Sequence, residues 1–283
     1  MVTASIVTYQ HHLLDIEPVL QSLLAAPVEV IYVIDHSADI MPNLANEISE
    51  YMRVMGIEQG KILHIPHENN GYGGGHNVGI RKALELGSTY HLVANPDIWF
   101  GKSVIPALIQ YMNDNPDVGQ IMPKILFPDG EVQRLAKLLP TPLDIFGRFC
   151  LPPKLIEKRN ERYELHASDF KRIMNAPYLS GCFMFFRMEA LQKVNLFDEH
   201  LFMYAEDIDI TRRIHALYKT LYFPSECVYH KFSRASHRSL KLFYIHVTNI
   251  IMYFNKWGWI KDKQRGEFNL RLAKQIEDGG IKD

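Results

Sequence analysis

The chain has 283 residues, of which 47% are hydrophobic and 22% are charged, and its net charge is −1 at pH 7. This length suits one large α/β domain with a sizeable core, and the near-zero charge argues against a nucleic-acid-binding protein, which normally carries a basic excess. The three cysteines, Cys150, Cys182 and Cys227, lack metal-ligand spacing, so we predict buried free thiols in a reducing compartment. No signal peptide and no membrane-spanning apolar run is recognised, so we expect a cytoplasmic protein.

Strand and helix patterns alternate along the first hundred residues. β-branched and apolar residues predict strands at 3–9, 28–35, 62–65 and 91–94. Helical spacing of apolar residues predicts helices at 13–25, 42–55 and 75–86. This alternation is typical of a parallel, doubly wound sheet, so we predict an α/β fold that begins with a nucleotide-binding half.

The pattern is less regular after residue 100. Further strands are predicted at 118–123, 178–187, 221–223 and 227–230, and further helices at 102–113, at 188–193 and from 202 onward. Residues 128–175 hold many prolines and charges. We expect this segment to be irregular, either as a mobile loop over a site or as a poorly ordered excursion.

A run rich in glycine and asparagine, residues 69–79, follows a predicted strand and opens a helix, where backbone N–H groups often meet phosphate. It does not fit Gly-x-Gly-x-x-Gly, because His76 and Val78 stand where the third glycine belongs. It does not fit the P-loop either, because no Gly-Lys-Ser/Thr follows. A nicotinamide or ATP site is therefore disfavoured. The run is either a flexible surface loop or a place where the backbone closely approaches another group, and its glycines favour close approach.

Two carboxylates and a histidine follow predicted strands. Asp97 comes after Asn95 and Pro96, and Asn-Pro ends a strand at the edge where open α/β sheets bind ligands. A metal ion on Asp97 would neutralise a diphosphate, and His230 is a plausible second ligand whose imidazole suits Mn²⁺ better than Mg²⁺. Asp35 would accept a hydrogen bond from the N3–H of uracil or thymine, which cytosine lacks. Such residues are also common as turn formers, structural histidines and helix caps.

Three carboxylates, Glu206, Asp207 and Asp209, stand at a predicted helix start, where the helix dipole also favours purely structural acids. The functional interpretation is a general base that removes a proton from an acceptor hydroxyl. We assign Asp207 as this base and keep Glu206 as the second candidate. The candidate phosphate ligands are Arg212, Arg213, Arg234 and Arg238. Only for Arg213 does this assignment rest on more than the positive charge of the side chain.

Together these motifs resemble the inverting family 2 glycosyltransferases of the GT-A fold over residues 2–240. The matching residues are Ser5-Ile6-Val7-Thr8-Tyr9, Asp35, Asn69-x-Gly71, Asn77-x-Gly79, Asn95-Pro96-Asp97, Ser180-Gly181, Phe197-Asp198-Glu199, Phe202-Met203-Tyr204-x-Glu206-Asp207-x-Asp209-x-x-x-Arg213 and Val228-x-His230. Asn-Pro-Asp, in place of the family's usual Asp-x-Asp, looks like the bacterial rhamnosyltransferase-type branch, which builds surface polysaccharides.

The resemblance implies a GT-A domain over 1–240 and a C-terminal helical extension over 241–283. The implied donor-binding residues, for a dTDP- or UDP-sugar, are Thr8, Tyr9, Asp35, Asn69, Gly71, Asn77, Asn95 and Arg213. The implied ligands of Mn²⁺ or Mg²⁺ are Asp97 and His230, and the implied catalytic residues are Asp207 and Glu206. The expected reaction is one in-line displacement that moves a sugar, rhamnose by expectation, to a glycan or lipid-linked acceptor with inversion.

Three departures from the family pattern bear on specificity. The family's Asp-Asn-x-Ser is Asp35-His36-Ser37 here, and its Gly-Gly before Phe-Asp-Glu is Asn195-Leu196. These differences leave the sugar and the acceptor open. Asn95 replaces a carboxylate, which predicts a modest affinity for the metal.

The C-terminal residues 240–263 mix aromatic and aliphatic side chains with lysines. Such a helix either packs on the catalytic domain or a homodimer partner, or lies on the inner face of the cytoplasmic membrane. Two rival functions also stay open. One is a nicotinamide-dependent oxidoreductase, and the other is a catalytically silent protein that binds a sugar nucleotide.

Overall fold

The computed structural model describes residues 1–231 and 240–279. The strands are β1 (Val2–Thr8), β2 (Val30–Asp35), β3 (Ile62–Pro66), β4 (Tyr90–Ala94), β5 (Ile98–Phe100), β6 (Val118–Leu126), β7 (Ala136–Lys137), β8 (Met174–Asn175), β9 (Tyr178–Leu179), β10 (Phe183–Arg187) and β11 (Lys219–His230). The helices are α1 (Leu13–Leu24), α2 (Asn43–Met55), α3 (Gly71–Glu85), α4 (Val104–Asp114), α5 (Pro142–Cys150), α6 (Pro153–Tyr163), α7 (Met188–Lys193), α8 (Glu206–His215), α9 (Leu240–Trp257) and α10 (Lys263–Glu277).

A mixed sheet forms the centre of the molecule. Its strand order is β3-β2-β1-β4-β10-β6-β11-β5, with β8 also paired to β11. The first four strands are parallel, which confirms the predicted nucleotide-binding half. β10 runs antiparallel to β4 and β6, while β11 runs parallel to β6. Because parallel strands end at the same edge, the residues that follow β1, β2 and β4 lie together.

Both faces of the sheet are covered, so its central strands are apolar on both sides. All five residues of β4 are buried. Ile6 and Leu92 belong to the larger core cluster, which also contains α1, α2 and α4 residues. Ile34 and Val93 belong to a second cluster on α3, α7 and α8. The residues that follow β1, β2 and β4 therefore stand at the edge of a well-packed sheet.

The glycine-rich run is helical, and its prediction as a loop is wrong. α3 begins at Gly71, whose φ is +87°, and a Cβ there would stand 2.2 Å from the carbonyl oxygen of Phe202. A Cβ on Gly79 would stand 2.8 Å from Cβ of Ser5 on β1. The predicted close approach is present, and the groups approached are parts of this chain. The glycines let α3 lie against β1 and the chain before α8.

The segment 128–175 is also more regular than predicted. It contains α5, α6, β7 and β8, so the prediction of an irregular segment is wrong. The prolines mislead because Pro142 and Pro153 begin helices, where a missing N–H costs no hydrogen bond. Thr141 caps α5 with a reciprocal pair of hydrogen bonds to Asp144.

Two further element boundaries differ from the predictions. The strands predicted at 221–223 and 227–230 are one strand, β11, with a break in its pairing to β6 between Phe223 and Cys227. Pro224 stands in this break, where a missing N–H is tolerated. The strand predicted at 178–187 is instead β9 and β10, separated by the segment 180–182. The segment 180–182 contacts both Asn95 and Asp207.

The C-terminal helices pack on α8. Tyr253 and Phe254 of α9 and Phe268 of α10 form a cluster with Ile208 of α8. Arg212 of α8 makes two hydrogen bonds, 2.6 and 2.7 Å long, to the carboxylate of Asp262 between α9 and α10. Both side chains of this ion pair are almost inaccessible to solvent.

Candidate active site

Asp97 and His230, predicted as metal ligands, lie together. Asp97 stands in the turn between β4 and β5, and His230, the last residue of β11, pairs with Ile98. Oδ1 of Asp97 is 3.4 Å from Nε2 of His230. Burial opposes ionisation of Asp97, yet hydrogen bonding to His230 and its charge hold the pKa of this carboxyl below its ordinary value.

Gln133, which no sequence motif singled out, orients His230. Its amide nitrogen donates to the carbonyls of His230 (2.8 Å) and Leu126 (3.3 Å). The amide oxygen therefore faces Nδ1 of His230, 3.0 Å away, and this requires a proton on Nδ1. In the neutral ring the lone pair is then on Nε2, the atom nearest Asp97. Metal-binding histidines are commonly oriented by such a second partner.

Asp207 is the better exposed of the two predicted catalytic carboxylates. It is half-buried at the start of α8, whereas Glu206 is buried. Oδ2 of Asp207 accepts a hydrogen bond from the N–H of Gly181 (3.0 Å), and Oδ1 accepts one from the N–H of Ile208 (2.8 Å). The hydroxyl of Tyr178 lies 3.5 Å from Oδ2. The carboxylate is thus held in one orientation by backbone donors.

The segment 180–182 joins the Asp97 turn to Asp207. The carbonyl oxygen of Cys182 accepts a 2.9 Å hydrogen bond from the N–H of Asn95, while the N–H of Gly181 donates to Asp207. A Cβ on Gly181 would be 3.3 Å from Cβ of Asp207, so a glycine lets the two backbones approach closely. Both carboxylates are therefore positioned by one short segment.

Burial and neighbouring charge perturb the ionisation of these groups. Burial, followed by the charge of Asp207, raises the pKa of Glu206 to about 8. Burial also raises the pKa of Asp207. Burial raises the pKa of Tyr72 well above its usual range, with further contributions from Cys182, Glu206, Asp207 and Asp97. The Tyr72 hydroxyl donates a 2.6 Å hydrogen bond to the carbonyl oxygen of Gly181, so this phenol lies beside the segment that bonds to Asp207.

The predicted nucleoside-binding residues lie side by side at the ends of β1 and β2. Thr8 pairs in register with Asp35, and its hydroxyl donates to the carbonyl of Ile34 (3.3 Å). Asp35 is buried, and its carboxylate accepts bonds from the backbone and hydroxyl of Ser37 (2.9 Å each) and contacts Nε2 of His64 (3.1 Å). Tyr9 is exposed. Uracil or thymine recognition by Asp35 stays a prediction, and it would use lone pairs that these contacts leave.

The other predicted donor-binding residues divide into two groups. Asn95 lies beside Asp97, while Asn69 accepts a 3.2 Å bond from the N–H of Gly71 at the start of α3. Asn77 instead bonds the N–H and the carbonyl of Phe197 (3.0 Å each). Arg213 bonds Asp209 and the carbonyl of Val194. Asn77 and Arg213 thus contact the chain between α7 and α8 rather than the Asp97 turn.

Two polar residues of α8 have structural partners. Arg212 is committed to the buried ion pair with Asp262. Asp209 contacts Arg213, Lys256 and the indole N–H of Trp257.

Arg234 and Arg238 lie outside the described residues. Cys182 and Cys227 are free thiols, the first buried and the second partly exposed, and the Cys150 side chain also lies outside the description.

The donor set at Asp97 suits a divalent ion. Among residues 1–231 and 240–279, no group of three or more His, Cys, Asp or Glu side chains is arranged to hold a metal. Asp97 and His230 offer one oxygen and one nitrogen ligand, a combination that suits Mn²⁺. An ion held by so few side chains takes its other ligands from substrate phosphates and water.

Comparison with known proteins identifies the class. The family model described as "Glycosyl transferase family 2" matches residues 3–194, so the chain belongs to family 2 of the glycosyltransferases and is an enzyme of that class. An N-acetylglucosaminyl-diphospho-decaprenol L-rhamnosyltransferase from two strains of Mycobacterium tuberculosis is 30% identical over 221 residues, 72% of this chain and 67% of that protein. The predicted family and its rhamnosyltransferase-type branch are confirmed, and the nicotinamide-dependent alternative is wrong.

Solved structures with low sequence identity share the fold. GalNAc-T7 with UDP, GalNAc and Mn²⁺ superposes with a TM-score of 0.63 at 14% identity, covering 99% of this chain and 56% of that one. The mannosyltransferase PcManGT from Pyrobaculum calidifontis, with GDP-Man and Mn²⁺, gives 0.56 at 13% identity, covering 99% and 76%. The chain thus spans little more than half of the GalNAc-T7 chain. These similarities confirm the predicted GT-A fold.

Proposed function

We propose that this enzyme transfers a sugar, rhamnose by expectation, from a dTDP- or UDP-sugar to a lipid-linked saccharide in bacterial surface polysaccharide synthesis. Asp207 would be the base, with Glu206 in reserve. The relatives named for L-rhamnosyl transfer to N-acetylglucosaminyl-diphospho-decaprenol support this donor and acceptor class. A lipid-linked acceptor places the reaction at the inner face of the cytoplasmic membrane. A homodimer contact is the alternative use of the C-terminal helices.

One observation carries the proposal: the segment 180–182 bonds both to the turn that holds Asp97 and to Asp207. A transferase with inversion needs a leaving-group site and a base on opposite sides of the sugar. The two carboxylates, Asp97 in that turn and Asp207 bonded to Gly181, would supply these two groups.

Asp97 and His230 would hold Mn²⁺ or Mg²⁺, which supplies positive charge for the diphosphate of the leaving group. Asp207 accepts the proton of the acceptor hydroxyl as that oxygen bonds the anomeric carbon. The bond from this carbon to the diphosphate breaks, and its electron pair leaves with the nucleoside diphosphate. The Gly181 and Ile208 N–H groups orient the carboxylate, and its raised pKa suits proton removal near neutral pH.

The test separates binding from transfer. Calorimetric titration with Mn²⁺ and either UDP or dTDP should show weaker binding for Asp97→Ala than for the wild type. Asp207→Asn should bind normally and lose transfer to a lipid-linked acceptor by about 10²–10⁴-fold. Asp114→Asn, an exposed substitution of the same kind on α4, serves as the control. Equal loss of binding in both site variants would contradict these roles, and turnover insensitive to Asp207→Asn would remove the assigned base.

The donor class is tested with a panel of nucleotides. UDP, dTDP, GDP, CDP and NADH are compared by thermal stabilisation with and without Mn²⁺, since a ligand at about 100 times its Kd adds about 2.7 kcal/mol. We expect stabilisation by UDP or dTDP that depends on Mn²⁺. Stabilisation by GDP or CDP alone would refute the assignment of a uracil or thymine nucleotide, and binding without any turnover would indicate the catalytically silent alternative.

A further inference from the structure

Helix α9 is buried mainly in its second half. Asn249, Ile250, Tyr253 and Phe254 bury its second half against the domain. No residue from 240 to 248 is buried, although most of these residues are apolar. The first half of the helix therefore presents apolar surface that the described part of the chain does not bury.

Exposed and half-buried apolar residues form a stripe. Positions 240, 244, 247 and 251 follow helical spacing and share one face. Leu240 is 89% exposed, Tyr244 is 71% exposed and Ile251 is 37% exposed. Beyond the helix, Ile260 is 89% exposed. An apolar surface of this kind marks an interaction site.

The charged residues on both sides of the stripe in the sequence have one sign. Residues 227–261 contain no Asp or Glu, in a chain whose net charge is −1. The cations of this stretch are Lys231, Arg234, Arg238, Lys241, Lys256 and Lys261. Lys256 is neutralised by Asp198 and Asp209, whereas Lys241 is exposed beside the stripe.

This charge distinguishes between the two occupants that the sequence left open. In a symmetric dimer the same patch meets itself, so its cations would face cations. An anionic bilayer surface offers apolar depth for the stripe and negative charge for the lysines. In the described part of the chain, no helix is long and apolar enough to cross a membrane. A helix lying in the interface fits this surface better than a transmembrane helix does.

We propose that the outer face of α9, residues 240, 244, 247 and 251, docks the enzyme on an anionic lipid surface. The role of this docking in the reaction rests on the proposed lipid-linked acceptor, whereas the docking itself does not depend on that proposal. The amide oxygen of Asn249 accepts a 2.7 Å bond from the N–H of Phe202, and the ring of His246 lies 4.9 Å from that of Tyr204. The docking helix thus contacts the residues directly before Glu206 and Asp207, which places the catalytic base beside the membrane.

Vesicle co-sedimentation tests the docking without any substrate. The wild type should bind vesicles of equimolar phosphatidylcholine and phosphatidylglycerol more tightly than phosphatidylcholine vesicles, and salt should weaken this binding. Leu240→Ser with Tyr244→Ser should lower the partition coefficient at least tenfold. Lys241→Gln should lower it about fivefold. Leu270→Ser on α10, an exposed apolar control that is 55% exposed, and Lys102→Gln should leave it unchanged.

The outcomes separate docking from dimerisation and from loss of fold. Stabilisation by UDP or dTDP with Mn²⁺ should be the same in all five proteins, because the stripe lies outside the nucleotide site. Equal vesicle binding by the wild type and the double variant would overturn the proposal. So would a wild-type dimer, seen by light scattering, that the double variant loses. Failure of the nucleotide response with intact vesicle binding would instead count against the proposed function.

Discussion

Gln133 acts on the candidate metal site through a neighbour. Both hydrogens of its amide are directed at backbone carbonyls, so its oxygen specifies the proton on Nδ1 of His230. Gln133→Leu removes this selection, and we expect the affinity for Mn²⁺ with UDP or dTDP to fall about 10–100-fold, as for other residues that orient a ligand. Calorimetric titration measures this loss.

A matched control is available on β6. Gln120 is also buried, and its amide forms no hydrogen bond within the described residues. Gln120→Leu should therefore leave metal-dependent nucleotide binding unchanged. Binding by Gln133→Leu equal to that of the wild type would show that the His230 orientation does not depend on Gln133.

Glu206 gives the stability of the protein a particular pH dependence. Its folded-state pKa is raised from 4.5 to about 8, mainly by burial, so the folded state keeps a proton that the unfolded state releases. The free energy of unfolding should therefore fall as pH rises through this window, by at most about 1.4 kcal/mol for each unit of pKa difference. Urea denaturation should show a shallower fall for Glu206→Gln. An unchanged slope would mean that Glu206 ionises normally, and exposed Glu267→Gln provides the control.

The residues of the candidate site differ in how far the sequence could predict them. Asp97, His230 and Asp207 can be proposed from the sequence because each stands at the end or the start of an element inside a motif. Gln133 and Gly181 act through contacts with residues distant in sequence, and only tertiary structure brings these pairs together. Asn77 lies inside a motif as well, but its hydrogen bonds point to a structural role.

Among the elements, α3 shows how a polar residue can join two segments. Asn77 makes two bonds to the backbone of Phe197 and one of 2.8 Å to Glu199. Asn77→Ala should lower the free energy of unfolding by about 2–4 kcal/mol, because it leaves buried backbone groups without partners. Chemical denaturation tests this, with exposed Asn46→Ala on α2 as control. If nucleotide affinity fell while stability stayed the same, the donor-binding prediction for Asn77 would hold instead.

Strands and helices were predicted well where the hydrophobic pattern was clear. The alternation of buried strands and amphipathic helices predicted β1 to β4, α1, α2 and α4 with small errors at their ends. It failed at 128–175, because proline marks both a loop and the first turn of a helix, and composition does not distinguish them. It failed at α3 because glycine there serves packing against β1 rather than flexibility.

For the whole molecule, the ion pair of Arg212 with Asp262 fastens the C-terminal helices to α8. Arg212→Met removes both of its hydrogen bonds and the nearer positive charge from the buried carboxylate, which keeps only the Arg265 guanidinium 3.9 Å away, and should cost about 3–5 kcal/mol of folding free energy. Adding Asp262→Asn should recover much of this loss, since an amide removes the charge and still caps α10. Denaturation of the single and double variants measures the difference. The exposed Lys219–Asp117 pair is the control, and Lys219→Met should cost about 0–1 kcal/mol.

Similar losses in the single and double variants would show that packing, rather than charge compensation, accounts for the role of Arg212. This pair could not be predicted from the sequence, because the two residues stand 50 positions apart. Arg212 instead looked like a candidate phosphate ligand.

The break in β11 has a consequence for how this enzyme can change. Phe223 pairs with Pro123 and Cys227 with Lys124, so residues 224–226 act as a spacer between two paired stretches. Side chains alternate between the faces of a strand, so the parity of the spacer decides which face His230 occupies. A one-residue insertion or deletion there would turn His230 away from both Asp97 and Gln133 while 219–223 kept its pairing. Activity and folding can thus be separated by a length change in a stretch that carries no motif.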